Sequence, residues 1–196
     1  MKMKEKYVWK LKDIIMVGFL SIVFAVIYLA AVYLASFIST LLTPLGLAPL
    51  ANEFIFGVWF MASTMAAYIM QKPGTALVSE ILAALLEVLM GNMYGPIVLV
   101  SGAIQGLGAE GVFAAFGYKK FDRLSMCLAA AGCCVTSFIW GFFRSGFLLL
   151  SPRLLIVMFC IRLISSVLFS GIICLTVGDK LAKTGLLKSY PLGESQ

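Results

Sequence analysis

Apolar residues follow one another along most of the chain in long runs that short polar segments separate. Six runs are about as long as the roughly 20 residues that a helix needs to cross the hydrocarbon core of a bilayer. Because backbone groups cannot go unpaired in lipid, continuous runs of this kind favour helices. The pattern predicts spans at about 14–37, 53–71, 74–91, 96–117, 124–149 and 153–178.

The composition agrees with an all-α integral membrane protein. The chain is 62% hydrophobic and 12% charged, with a mean hydropathy of +1.04, which lies outside the range of soluble domains. The first apolar run is too long for a removed signal peptide and lacks a suitably placed small-residue cleavage site. We therefore expect residues 1–196 to form a single membrane domain that keeps this run as its first helix.

Basic residues lie mostly on one side of a six-span arrangement. With a cytoplasmic N-terminus, the basic residues on the cytoplasmic side are Lys2, Lys4, Lys6, Lys10, Lys12, Lys72, Lys119, Lys120, Arg123, Lys180, Lys183 and Lys188, against Arg153 in an outer loop. This asymmetry predicts cytoplasmic N- and C-termini in a prokaryotic cell membrane. The net charge of +6 then reflects topology and lipid headgroups, so we expect no nucleic-acid partner.

Two glutamates stand inside the third apolar run, "TALVSEILAALLEVLMG". An ionised carboxylate at bilayer depth is costly, so such residues usually face a protein interior or a polar cavity. Glu80 and Glu87 are seven residues apart, which is two helical turns, and so they share one face. On the fourth run, Gln105 is expected near the level of Glu87, and Glu110 near the level of Glu80.

The third and fourth runs are predicted to pack closely as antiparallel neighbours. Their connection, "GNMYGP", is short, and the fourth run contains the G-x-x-x-G pair Gly102 and Gly106, whose ordinary role is close helix packing. With carboxylates and an amide in the same segments, we expect a cavity beside this helix pair.

Acidic residues outnumber basic residues within the predicted spans. The acids are Glu53, Glu80, Glu87 and Glu110, and the bases are Arg144 and Arg162. Arg144 lies near a helix end, where it can extend to the interface, and Arg162 is expected to pair with a glutamate. Two carboxylates then remain, and these are either protonated or await a cation.

Catalytic and metal sites are not expected. The chain has no histidine and no C-x-x-C pair, and no phosphate-binding loop motif occurs. The five cysteines fall in predicted helices as small buried hydrophobes, with a redox pair at Cys133 and Cys134 as the alternative. Aromatic residues such as Trp59 and Tyr94 either pack at the membrane interface or stack on a cationic ring.

Residues 52–121 resemble the YkoE family, the thiamine or hydroxymethylpyrimidine S components of energy-coupling-factor (ECF) transporters. The motifs "KPGTA", "GNMYGP" and "QGLGAE" occur in the expected order. The resemblance implies a substrate-binding subunit that works with a transmembrane coupling protein and two cytoplasmic ATPases, which bind the ATP. It also implies docking on the coupling protein through an A-x-x-x-A pattern, which Ala31 and Ala35 match.

The implied ligand fits the polar residues of the spans. Thiamine joins an aminopyrimidine to a cationic thiazolium ring, and carboxylates can accept from the amine and offset the charge. The predicted substrate-binding residues are Glu80, Glu87, Gln105 and Glu110, with Trp59, Tyr94, Asn92 and Glu53 as further candidates. The alternative for the glutamates is structural, as ion pairs or protonated helix bridges. A proton-coupled carrier of a small cation is the alternative function, and a membrane enzyme lacks a catalytic set.

Overall fold

All regular secondary structure that the structure describes is helical. The structure is a computed structural model that describes residues 7–194, so Lys2, Lys4 and Lys6 lie outside the described residues. The α-helices are α1 (Leu11–Leu42), α2 (Leu50–Ile55), α3 (Met61–Met70), α4 (Thr75–Leu89), α5 (Ile97–Ala115), α6 (Arg123–Arg144), α7 (Pro152–Ser166), α8 (Cys174–Lys183) and α9 (Pro191–Glu194). The predicted all-α class is confirmed.

Five helical runs in residues 7–194 are long and apolar enough to cross a membrane. They are Leu11–Leu45, Leu50–Met70, Ile97–Ala115, Arg123–Arg144 and Pro152–Lys183. The third predicted span is present as α4, but its 15 residues are fewer than the roughly 20 that cross a bilayer without tilt or thinning. The fifth predicted span ends at Arg144 rather than at residue 149, because Gly146 has a positive φ of 65° and a 3-10 turn follows at Phe147–Leu149.

The second apolar run is a broken helix. A 3-10 segment, Phe56–Phe60, separates α2 from α3. At this break the backbone lies against the last long run, so that a Cβ on Gly57 would lie 2.2 Å from the Ser165 carbonyl oxygen. The Gly57 N–H donates to Ser165 Oγ at 3.0 Å, and Ser170 Oγ donates to the Gly57 carbonyl at 2.8 Å. Two serines thus satisfy backbone groups that the break leaves without helical partners.

The break faces an irregular stretch of the last run. Residues Val167–Ile173, between α7 and α8, are π-helical, and they include Ser170. Single-turn π segments of this kind are frequent at functional sites. Here the π segment brings a serine to the broken helix.

Glycines set the close packing of α4, α5 and α6. A Cβ on Gly102 would lie 2.8 Å from Ala84 Cβ, and one on Gly106 would lie 2.9 Å from Leu77 Cα, so the expected close contact with α4 is confirmed. Gly132 of α6 lies on the other side of α5, where its Cβ would be 2.6 Å from the Gly108 carbonyl oxygen. Helix α5 is therefore held between two helices at backbone contact.

The two terminal segments meet at one end of the bundle, which we call the terminal end. The Tyr190 hydroxyl donates to the Lys12 carbonyl at 2.8 Å, and Lys12 Nζ donates to the Ser189 carbonyl. Beside them, the buried Lys72 ammonium lies 2.5 Å from the Asp13 carboxylate. The opposite end, with the α4–α5 and α6–α7 connections, is called the cavity end.

Substitution of Gly108 or Gly132 by alanine is expected to destabilise the protein. The added methyl group has no room at either position, and overpacking typically costs about 1–3 kcal/mol. Melting of the purified protein in detergent should show a lower midpoint for both variants. Gly111→Ala is the matched control on α5, because nothing lies within 4 Å of its added Cβ. An equal midpoint for Gly108→Ala and Gly111→Ala would contradict the packing described here.

Candidate substrate cavity

A cavity of about 470 Å³ opens within the bundle toward the cavity end. Its volume falls in the range of small-molecule sites, roughly 300–1,000 Å³. Seven of the eight predicted substrate-binding residues line this cavity. They are Glu53, Trp59, Glu80, Glu87, Asn92, Tyr94 and Gln105. Helices distant in sequence thus bring most of the predicted polar residues to one place.

Glu110 is the predicted site residue that does not line the cavity. Its carboxylate lies at the start of α4 on the terminal end, where it accepts from the backbone N–H groups of Gly74, Ala76 and Leu77 at 2.5, 3.1 and 3.3 Å. The first N–H groups of a helix have no partner within the helix, and they favour a negative charge. The Tyr118 hydroxyl also donates to Glu110, at 2.7 Å. Burial and this bond to Glu110 raise the pKa of Tyr118 above its usual value, so Tyr118 remains protonated and donates.

Glu80 lines the cavity and also caps a helix. It is fully buried and accepts from the Ser63 N–H at 2.8 Å, in the first turn of α3. The Tyr28 hydroxyl donates to both Glu80 oxygens, at 3.0 and 3.2 Å, and itself accepts from the Ala62 N–H at 2.9 Å. Glu80 and Tyr28 together therefore satisfy two N–H groups that the break at Phe56–Phe60 exposes.

Glu53 forms a buried ion pair with Arg162. The two side chains make two parallel hydrogen bonds, Nε to Oε2 at 2.5 Å and Nη2 to Oε1 at 2.6 Å. The guanidinium also lies 3.6 Å from the centre of the Phe56 ring, between further aromatic rings of Phe138 and Phe147. The expectation that Arg162 pairs with a glutamate is confirmed, and the pair forms a rigid part of the cavity wall.

Glu87 is the carboxylate of the cavity wall that neither pairs with an arginine nor caps a helix in the described chain. Asn92 Nδ2 donates to Glu87 Oε1 at 2.5 Å, while Asn92 Oδ1 accepts from the Tyr94 N–H at 2.6 Å. The Trp59 side chain interacts with the same carboxylate. Glu87 thus lies among an amide and aromatic rings. Within residues 7–194, no positively charged side chain forms an ion pair with its carboxylate.

Gln105 contributes an uncommitted amide. Its side chain lines the cavity and, within residues 7–194, makes no hydrogen bond to the protein. A primary amide offers two donors and one acceptor. The cavity therefore offers a free amide beside its carboxylates.

Several cavity residues are not among the eight predicted substrate-binding residues. Tyr28 on α1, Ser101 on α5 and Trp140 on α6 all line the cavity. Trp140 Nε1 donates to Ser101 Oγ at 3.0 Å. Arg144 lies at the end of α6, where it can extend to the interface, and it also lines the cavity, where its Nη1 donates to Ser101 Oγ at 3.3 Å. Its position beside Ser101 depends on the angle of α6, which the hydropathy pattern does not give.

The alanine pair Ala31 and Ala35 lies inside the protein. The side chains are only 6% and 1% exposed, because this face of α1 packs against the rest of the bundle. A second hollow of about 380 Å³ lies beside Ala35, lined by hydroxyl groups near the end of α1, and it shares Asn52 and Tyr94 with the main cavity. Ala35 thus borders a hollow, and both alanines offer little exposed surface.

Comparison with known proteins matches the chain to components of membrane transporters. Residues 12–136 match the family model described as ABC-type cobalt transport system, permease component. The chain is 45% identical over 186 residues to the "Putative HMP/thiamine permease protein YkoE" of Bacillus subtilis (strain 168), which covers 95% of this chain and 91% of that protein. A crystal structure of an S component of an ECF transporter matches with a TM-score of 0.91 and 45% identity, over 96% of this chain and 93% of the other.

These matches extend over nearly the whole chain, and the identity is high enough to establish kinship. The chain therefore belongs to this permease family and, through its relative, to the YkoE family, with the fold of an ECF-transporter S component.

Proposed function

We propose that this chain is the substrate-binding S component of an ECF vitamin importer and captures thiamine or its hydroxymethylpyrimidine precursor. The names of the relative and of the solved structure support this assignment. The observation that carries it is Glu87, an unpaired carboxylate in the wall of a cavity that also holds aromatic rings and a free amide. These groups suit a ligand with a cationic ring and an amine donor.

The charge of the cavity supports a cationic ligand. Glu53 and Arg162 neutralise each other. With every group ionised, Glu80 and Glu87 contribute two negative charges and Arg144 contributes one positive charge. The cavity then has a formal charge of −1. The thiazolium ring of thiamine carries one fixed positive charge and would bring this sum to zero.

A metal ion fits the cavity poorly. Although the matching family model is described as a cobalt transport permease, residues 7–194 contain no group of three or more His, Cys, Asp or Glu side chains placed to hold a metal ion. Transition metals in proteins are bound by such groups. The donors present instead suit a flat organic cation.

We place the coupling protein and the ATPases outside this chain. The sequence contains no phosphate-binding loop, so ATP would be bound by the partner ATPases. Docking through Ala31 and Ala35 stays a prediction, and it would require side chains that are now 6% and 1% exposed to become accessible.

We also propose one membrane domain, residues 1–196, with six crossings and both termini in the cytoplasm. The contacts of Lys12 with Ser189 and Tyr190 support an even number of crossings, because they join the two terminal segments at one end. Helix α4 would cross as a short span, with the α4–α5 loop completing the outer side. The cavity end then faces outward, as capture of an external ligand requires.

Glu87→Gln is expected to weaken thiamine binding by more than tenfold with an unchanged melting midpoint. The variant keeps the side-chain volume and an oxygen for Asn92, but it removes the charge. Truncating one partner of a buried charged contact costs about 2–5 kcal/mol, and about 1.4 kcal/mol is a tenfold change in affinity. Calorimetric titration with thiamine and hydroxymethylpyrimidine, together with melting in detergent, measures both quantities.

Two further variants separate binding from folding. Glu110→Gln, away from the cavity, should leave the thiamine affinity unchanged and lower the melting midpoint, because a neutral amide caps α4 less well. Glu80→Gln should lower the midpoint and also weaken binding, since Glu80 both caps α3 and lines the cavity. Parent-like thiamine binding by Glu87→Gln would remove the central residue from the proposed site.

The topology predicts the location of tags at the two ends. A reporter that works only in the cytoplasm should be active when fused to either terminus, and a reporter that works only outside the cell should be inactive at both. The basic residues of the terminal end favour the cytoplasmic side. A C-terminal reporter active only outside the cell would contradict the six-span arrangement.

A further inference from the structure

Arg144 is a cation in the cavity wall, and no carboxylate of the described residues 7–194 is in direct contact with it. It is the last residue of α6, and its guanidinium makes one hydrogen bond, to Ser101 Oγ at 3.3 Å. Within residues 7–194 the ion pairs are those of Lys72 with Asp13 and Arg162 with Glu53, so Arg144 belongs to neither. A guanidinium has five N–H donors, and most of those of Arg144 are uncommitted.

Arg144 nevertheless lies near groups that would attract any cation. Its guanidinium carbon lies 5.2 Å from the centre of the Tyr94 ring, within the range of a cation–π interaction. Its charge also attracts that of Glu87 across the cavity, although the two side chains form no ion pair. Tyr94 and Glu87 are joined through Asn92, so the cation faces one connected group of side chains.

We propose that Arg144 is a tethered competitor cation: it lies over the Tyr94 ring, offsets the charge of Glu87, and must yield both groups to a cationic ligand. This inference rests on the proposed function, because it takes thiamine as the cation. A ligand that brings its positive charge to Glu87 and Tyr94 is repelled by Arg144. A neutral ligand meets no such repulsion.

Competition of this kind makes Arg144 a specificity-determining residue. It reduces the advantage that the acidic cavity gives to cations over neutral ligands of similar shape. The side chain is held by one hydrogen bond and one ring contact at the open end of the cavity, so moving it aside breaks few contacts. The same device favours release, because the arginine can replace the departing ligand.

Arg144→Gln tests the proposal, because the loss of a cavity side chain should here increase the affinity for thiamine. Removing the competing charge should tighten thiamine binding by about two- to fivefold, the effect expected of a partly exposed charge. Binding of hydroxymethylpyrimidine, which is neutral, should stay the same. Calorimetric titration of the full chain in detergent at low ionic strength measures both affinities, and the difference in thiamine affinity should shrink in high salt.

Arg153→Gln is the matched control. It removes a positive charge from the beginning of α7, next to the α6–α7 connection, but Arg153 does not line the cavity. The thiamine affinity of the Arg153→Gln variant should equal that of the parent. If Arg144→Gln proves unstable, Arg144→Met keeps a long side chain over the Tyr94 ring without the charge, and it must tighten thiamine binding in the same way.

The outcomes separate this inference from the proposed function. If the parent binds neither ligand, the proposed function fails and the inference fails with it. If the parent binds thiamine but the uncharged variants bind it equally or more weakly, the competitor role of Arg144 is wrong and the proposed function stands. Equal tightening by Arg153→Gln would also overturn the inference, because a general surface field would then explain the effect.

Discussion

The structure depends on the requirement that backbone N–H groups within a bilayer find partners inside the protein. The chain interrupts its second apolar run at Phe56–Phe60, between α2 and α3, and it begins α4 close to the terminal end. Each helix start exposes N–H groups. Glu80 and Glu110 accept from these groups directly. Two of the four glutamates expected within the spans are thus explained by helix capping, which places carboxylates in an apolar region for structural reasons.

The remaining two glutamates, Glu53 and Glu87, have different roles in the cavity wall. Glu53 is held by Arg162 beneath aromatic rings, and such a pair is costly to break because it leaves a buried charge. It therefore acts as a fixed wall. In the described part of the chain Glu87 has only neutral partners in direct contact, so its charge is available to a ligand. The opposing Arg144 makes the affinity of the cavity for cations a balance between attraction and internal competition.

The sequence predicted the all-α class, the approximate positions of the long apolar runs and the close contact of Gly102 and Gly106 with α4, because hydropathy and small-residue spacing report these features directly. It also predicted Glu87, Asn92 and Gln105 as binding-site residues, and all three line the cavity. It could not separate Glu110 from this set, since depth along a helix says nothing about a neighbouring helix start that draws the carboxylate away. Nor does hydropathy reveal a break inside an apolar run, which decides the role of Glu80.

A structure of the protein with thiamine bound tests the central claim most directly. The account predicts the thiazolium ring in the cavity, beside Glu87 and within about 6 Å of the Tyr94 ring, with the Arg144 guanidinium moved off that ring and the Glu53 and Arg162 pair unchanged. Thiamine bound outside the cavity, or inside it without contact to Glu87, would contradict the account.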